Sequence, residues 1–141
     1  MVRIEVEYQG ELRCRSRHGP SGQELSTDAP LDNQGKGESF SPTDLVATAL
    51  GTCILTTMGI VARRHGWDLR GATASVVKTM VADPARRIGR LEVVVRVPGD
   101  FDEKARRTLE TTALTCPVHK TLGAGVELPL HFEWSSTSTH A

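Results

Sequence analysis

The sequence is poor in aromatic residues and in cysteine, and it has no surplus of charge of either sign. Six aromatic side chains in 141 residues leave no basic stripe interleaved with rings on which bases stack, so nucleic-acid binding is not expected. Lysine plus arginine and aspartate plus glutamate each number 17, and a chain of zero formal net charge carries no field to draw it to a polyanion or a membrane surface. The three cysteines form no C-x-x-C pair, and "MVRIEVEYQG" has no signal-peptide pattern. Both features point to a reducing compartment, taken here as the cytoplasm. A Gly-rich phosphate loop, a G-x-S-x-G elbow and a dinucleotide fingerprint are all missing, so no cofactor is expected.

The length fits one domain, placed at 1–134, with the polar "SSTSTHA" at 135–141 as a flexible tail. "VRIEVEY" (2–8) alternates with period two, and "ELRCRSRH" (11–18) alternates again with Leu12, Cys14, Ser16 and His18 on one face, which predicts a hairpin. A short third strand, "QELSTD", and a polar loop, "APLDNQGKGES" (29–39), follow.

The next stretch, "SPTDLVATALGTCILTTMGIVARRHG", opens with Ser41 as N-cap, Pro42 at N1 and Asp44 at N3, a capping box with aspartate in place of glutamate. The helix it predicts stays apolar or small to Ala62 and stops at Gly66 behind Arg63, Arg64 and His65. Threonines and glycines dilute it too far for a membrane span, so it reads as a helix buried all round. One small chain covers such a helix only in part. The small Ala47, Ala49 and Gly51 would admit a close partner, so a homodimer is expected. Strands at 68–80 and 88–97, a helix at 102–114 and a last strand, "VELPLHFEW", complete a βββ-α-ββ-α-β order. The fold class is α+β, with antiparallel sheets packed around two central helices.

The candidate chemistry lies in the cysteines. In "TCPVHK", Pro117 fits N1 of a helix, which puts Cys116 at its N-cap, where unpaired N–H groups would favour a thiolate. His119 lies on the same helical face and could pair with it; the alternative is a plain N-terminal cap with a surface histidine. Cys53 stands in mid-helix, where its own N–H is used, so any activation must come from outside neighbours such as an arginine or another helix end. Taken alone, a cysteine in such a setting is more often an inert core thiol. Cys14, beside Leu12, is read as core. A zinc site from Cys53, Cys116 and His119 lacks a fourth ligand, and no metal is assigned.

"GKGESFSPTDLVATALGTCILTTM" (35–58) together with "TCPVHKTL" (115–122) resembles the family of osmotically induced protein C and organic hydroperoxide resistance protein, in its general OsmC-like branch. The resemblance implies an intertwined homodimer and a thiol-dependent peroxidase that reduces organic hydroperoxides to alcohols. Cys53 would form a sulfenic acid, Cys116 would resolve it to a Cys53–Cys116 disulfide, and a dithiol, of lipoyl type in several family members, would reduce that bond. The hydroperoxide branch has a glutamate where this chain has Thr43, so Glu38 is the substitute for orienting a supporting arginine, either Arg17 or Arg13. A different reading of the same cysteines is a non-enzymatic redox sensor or small-ligand-binding module.

Overall fold

Period-two alternation at the amino terminus builds an antiparallel sheet from β1 (Ile4–Gly10), β2 (Arg13–His18) and β3 (Glu24–Asp28), in the order β1-β2-β3. The structure is a computed structural model and describes residues 1–136; of the tail expected at 135–141, residues 137–141 lie outside the described residues. By its contacts the chain divides into two compact units, Met1–Val46 and the residues from Ala47 onward.

In the first unit, Ile4, Val6 and Tyr8 stand opposite His18, Ser16 and Cys14, and Leu25 stands opposite Ser16, so all of them share one sheet face. The other face pairs opposite charges across strands, with Arg15 3.5 Å from Glu7 and 3.6 Å from Glu24. Two expectations are corrected here. Leu12 is not in β2: Glu11 and Leu12 form the hairpin turn, with φ of 56° and 62°, as a two-residue primed turn requires. Cys14 is half-buried rather than core, because the face that it shares with Ile4, Val6 and Tyr8 is open in this chain.

α1 (Pro42–His65) starts as the capping box dictates. Ser41 N–H donates to Asp44 Oδ2 at 2.9 Å, and Asp44 N–H donates back to Ser41 Oγ at 3.0 Å. By length and composition this helix could cross a membrane, yet Leu50, Ile54 and Met58 are fully buried in the chain's own core. The helix is not buried all round, as its composition implied. Its buried residues, Ala47, Leu50, Gly51, Ile54, Met58 and Ala62, form one stripe at three- and four-residue spacing.

The second unit holds β4 (Thr73–Val81), β5 (Arg87–Pro98), α2 (Glu103–Ala113), α3 (Pro117–Leu122) and β6 (Leu130–Ser135). Gly51 is where α1 approaches β4: a Cβ there would meet Val76 Cγ2 at 3.0 Å. Every second residue of β5, namely Leu91, Val93, Val95 and Val97, is buried, as are Ala105, Leu109 and Ala113 of α2. Asp102 caps α2 by accepting from Ala105 N–H at 2.8 Å. The sheet order is β4-β5-β6. β4 and β5 pair antiparallel as expected, but β6 runs parallel to β5. The reason is the connection: β5 ends at Pro98, and α2 with α3 carries the chain over before β6 begins, a crossover rather than a hairpin. Pro129 has no N–H to offer a ladder, so β6 proper starts after it, although Leu91 and Val93 already donate to Glu127 and Pro129 carbonyls at 2.8 and 2.9 Å.

Candidate functional site

The buried end of α2 positions the first thiol. Past Ala113 the chain tightens: Leu114 N–H donates to Thr111 O at 3.2 Å and Thr115 N–H to Thr112 O at 2.9 Å. Cys116, fully buried, then becomes the N-cap of α3 with Pro117 at N1. Its Sγ accepts from His119 N–H at 3.4 Å. His119 therefore acts on Cys116 through its backbone. Its imidazole, a candidate partner of the thiolate, makes no hydrogen bond or ion pair among the described residues.

The second thiol comes from α1. Cys53 is half-buried on the flank of the buried stripe and is free, as is Cys116. Burial pushes the Cys53 thiol up, but the neighbouring Cys116 thiol, the Val118 N–H and the Thr57 hydroxyl, whose Oγ1 lies 3.9 Å from the sulfur, together outweigh it. The net effect holds Cys53 below an ordinary cysteine. Cys116 moves the other way. Burial and its hydrogen bond to Cys53, joined by repulsion from a charged Cys53, push it up against the pull of the His119 and Val118 N–H groups. The N-cap was expected to favour a thiolate at Cys116; the pull of its N–H groups is present, but burial and the neighbouring Cys53 outweigh it, while the Val118 N–H also lowers Cys53.

An acidic half-exposed thiol beside a buried, protonated one is a nucleophile with a proton donor and a second sulfur at hand. Val118 and Thr57 were not singled out from sequence. Thr57, one helical turn after Cys53, and Val118, at N2 of a capped helix with a free N–H, were both findable by spacing.

The first unit holds a separate polar cluster. Arg13 lies 2.8 Å from Glu38 Oε1 and 3.6 Å from Asp28 Oδ2, and Glu38 N–H donates to the same Asp28 oxygen at 3.1 Å. Of the two candidate arginines, Arg13 is thus the one gripped by carboxylates. Arg17 is exposed and has no ion pair among the described residues. Asp28 is 2% exposed, and its Oδ1 is a buried oxygen without a partner among the described residues. Nothing in the local pattern of "LSTDAP" marked it.

Comparison with known proteins follows the same two motifs. The chain matches no curated protein. Its structure is similar to a crystal structure from Psychrobacter arcticus 273-4, a protein named for osmotic stress induction and a detoxification response. The TM-score is 0.89 at 44% identity, over 94% of this chain and 96% of that one. It shares its fold with an organic hydroperoxide resistance protein from Legionella pneumophila, with a TM-score of 0.73 at 16% identity, over 94% and 96% of the two chains. A third similar structure is the organic hydroperoxide resistance protein of Bacillus subtilis, with a TM-score of 0.68 at 18% identity, over 94% and 98%. The sequence model of the OsmC-like proteins matches residues 35–131, a span that takes in both Cys53 and Cys116, and with the Psychrobacter likeness over nearly the full length it makes this chain a member of the OsmC-like family.

Proposed function

We propose that this protein is a thiol-dependent peroxidase for organic hydroperoxides, with a role in peroxide detoxification in a reducing, cytoplasmic setting. The observation that carries the reading is the unequal pair of free thiols, Cys53 lowered in pKa and Cys116 raised, each shifted in part by the other. The Cys53 thiolate attacks a peroxide oxygen, an S–O bond forms as the O–O bond breaks, and the departing alkoxide takes a proton to leave as the alcohol. Cys116 then attacks the Cys53 sulfur of the sulfenic acid. An S–S bond forms, the S–O bond breaks, and the hydroxyl leaves as water with the Cys116 proton. The balance is one hydroperoxide and two thiols to one alcohol, one water and one disulfide. An external dithiol restores both thiols by two exchanges.

Leu50 and Ile54, fully buried beside Cys53 in sequence, set an apolar tone that favours an alkyl or aryl peroxide over hydrogen peroxide. Arg13 and Glu38 are carried as the supporting pair, and Arg17 is set aside. A homodimer belongs to the same proposal. Its support is the sheet face of the first unit, where Ile4, Val6, Tyr8 and Leu25 are 51%, 63%, 64% and 47% exposed, an unusual apolar surface for a monomer.

The test is steady-state consumption of cumene hydroperoxide and of hydrogen peroxide with dihydrolipoamide as the dithiol. Turnover of the organic peroxide, preferred by roughly tenfold or more, supports the reading. Absence of turnover with both peroxides sinks it.

A further inference from the structure

Threonines inside helices usually return their hydroxyl to the carbonyl one turn back. Four helical threonines of this chain do so, Thr52 donating to Thr48 O at 2.8 Å, Thr108 to Lys104 O at 2.9 Å, Thr112 to Thr108 O at 2.7 Å and Thr121 to Pro117 O at 2.8 Å, while the exposed Thr56 and Thr111 form no side-chain bond among the described residues. Thr57 departs from both patterns. Its Oγ1 lies 3.9 Å from the Cys53 sulfur, the side chain one turn back. A neutral thiol is a poor acceptor beside a helix carbonyl, whereas a thiolate is a strong one. A hydroxyl turned from carbonyl to sulfur fits an anionic sulfur.

We propose that Thr57 is a positioning residue of Cys53: its hydroxyl donates to the thiolate and holds the sulfur toward Cys116 and the Val118 N–H. The acidity of Cys53 agrees, since Thr57 is one of three donors that lower it against burial. All three donors are neutral groups. Cys116 is the one ionisable side chain contributing to the Cys53 shift, and from α3 His119 contributes its backbone N–H, to Cys116. The donors to the Cys53 sulfur within this unit thus come from α1 and α3. The consequence for peroxide reduction rests on the peroxidase reading, but the assignment of Thr57 to Cys53 does not.

The experiment is peptide-resolved alkylation of Cys53 by iodoacetamide across pH, on the full chain, for wild type, Thr57→Val, Thr57→Ala and Thr57→Ser. Loss of the hydroxyl should move the midpoint of Cys53 alkylation up by about one pH unit, the size of one hydrogen bond to a charged acceptor. Thr57→Ser should restore it. Valine keeps the shape and alanine the helix, so agreement between them separates loss of the donor from a packing fault. An unchanged midpoint in Thr57→Val and Thr57→Ala overturns the proposal, and so does a serine variant as displaced as valine. The readout needs no peroxide: a shifted midpoint in a protein that consumes no hydroperoxide upholds Thr57 while the peroxidase reading falls, and an unshifted midpoint in an active protein does the reverse.

Discussion

Serine at position 53 should abolish hydroperoxide consumption, with turnover falling by at least about a thousandfold, because an alcohol offers neither the thiolate nor the polarisable sulfur that attacks an O–O bond. Serine at position 116 should behave differently. Its hydroxyl can still donate to Cys53, so the first oxidation proceeds, but no second sulfur is present to close the disulfide. The Cys116→Ser protein should therefore accumulate a Cys53 sulfenic acid that dimedone traps, and then stall or over-oxidise. The asymmetry follows from acidity. Cys53 is lowered by its three donors although burial opposes them, and Cys116 is raised chiefly by its own burial. The pH dependence has the matching sign: alkylation of Cys53 begins below the ordinary cysteine range and that of Cys116 only above it. Equal activity in the two serine variants would remove the assignment of roles.

The second large effect concerns assembly. Val6 sits at the centre of the open face between Ile4 and Tyr8, opposite Ser16 and one strand from Leu25. In a monomer a side chain 63% exposed tolerates lysine within about 0.5 kcal/mol. In a dimer that covers this face, Val6→Lys buries an unpaired charge, a penalty of several kcal/mol. Wild type should sediment at twice its 15.3 kDa chain mass, and Val6→Lys should shift to the single chain at micromolar concentration. A wild-type protein that sediments as one chain contradicts the dimer. A Val6→Lys protein that stays dimeric contradicts this face.

Much of this was readable before any coordinates. The Ser41, Pro42 and Asp44 cap and the Gly66 stop bounded α1, and Pro117 marked Cys116 as an N-cap, because capping is chemistry between near neighbours. Glu38 was named as a partner for either Arg17 or Arg13, and the structure pairs it with Arg13. What the pattern hid was set over distance. The parallel pairing of β6 depends on a crossover, not on alternation within "VELPLHFEW". The turn at Leu12 was missed because leucine rarely takes positive φ. The raised Cys116 was not foreseen: local reasoning saw the helix end at Cys116 but not that the residue is fully buried. Asp28, a buried anchor for Arg13 and Glu38, left no local signature at all.

The measurement that bears most directly on the central claim is a thiol count and peptide map of the fully reduced protein after one equivalent of cumene hydroperoxide. Loss of two thiols, a linked Cys53–Cys116 peptide pair and a free Cys14 is the predicted result. Retention of all three thiols, or a disulfide that joins Cys14 instead, would contradict it.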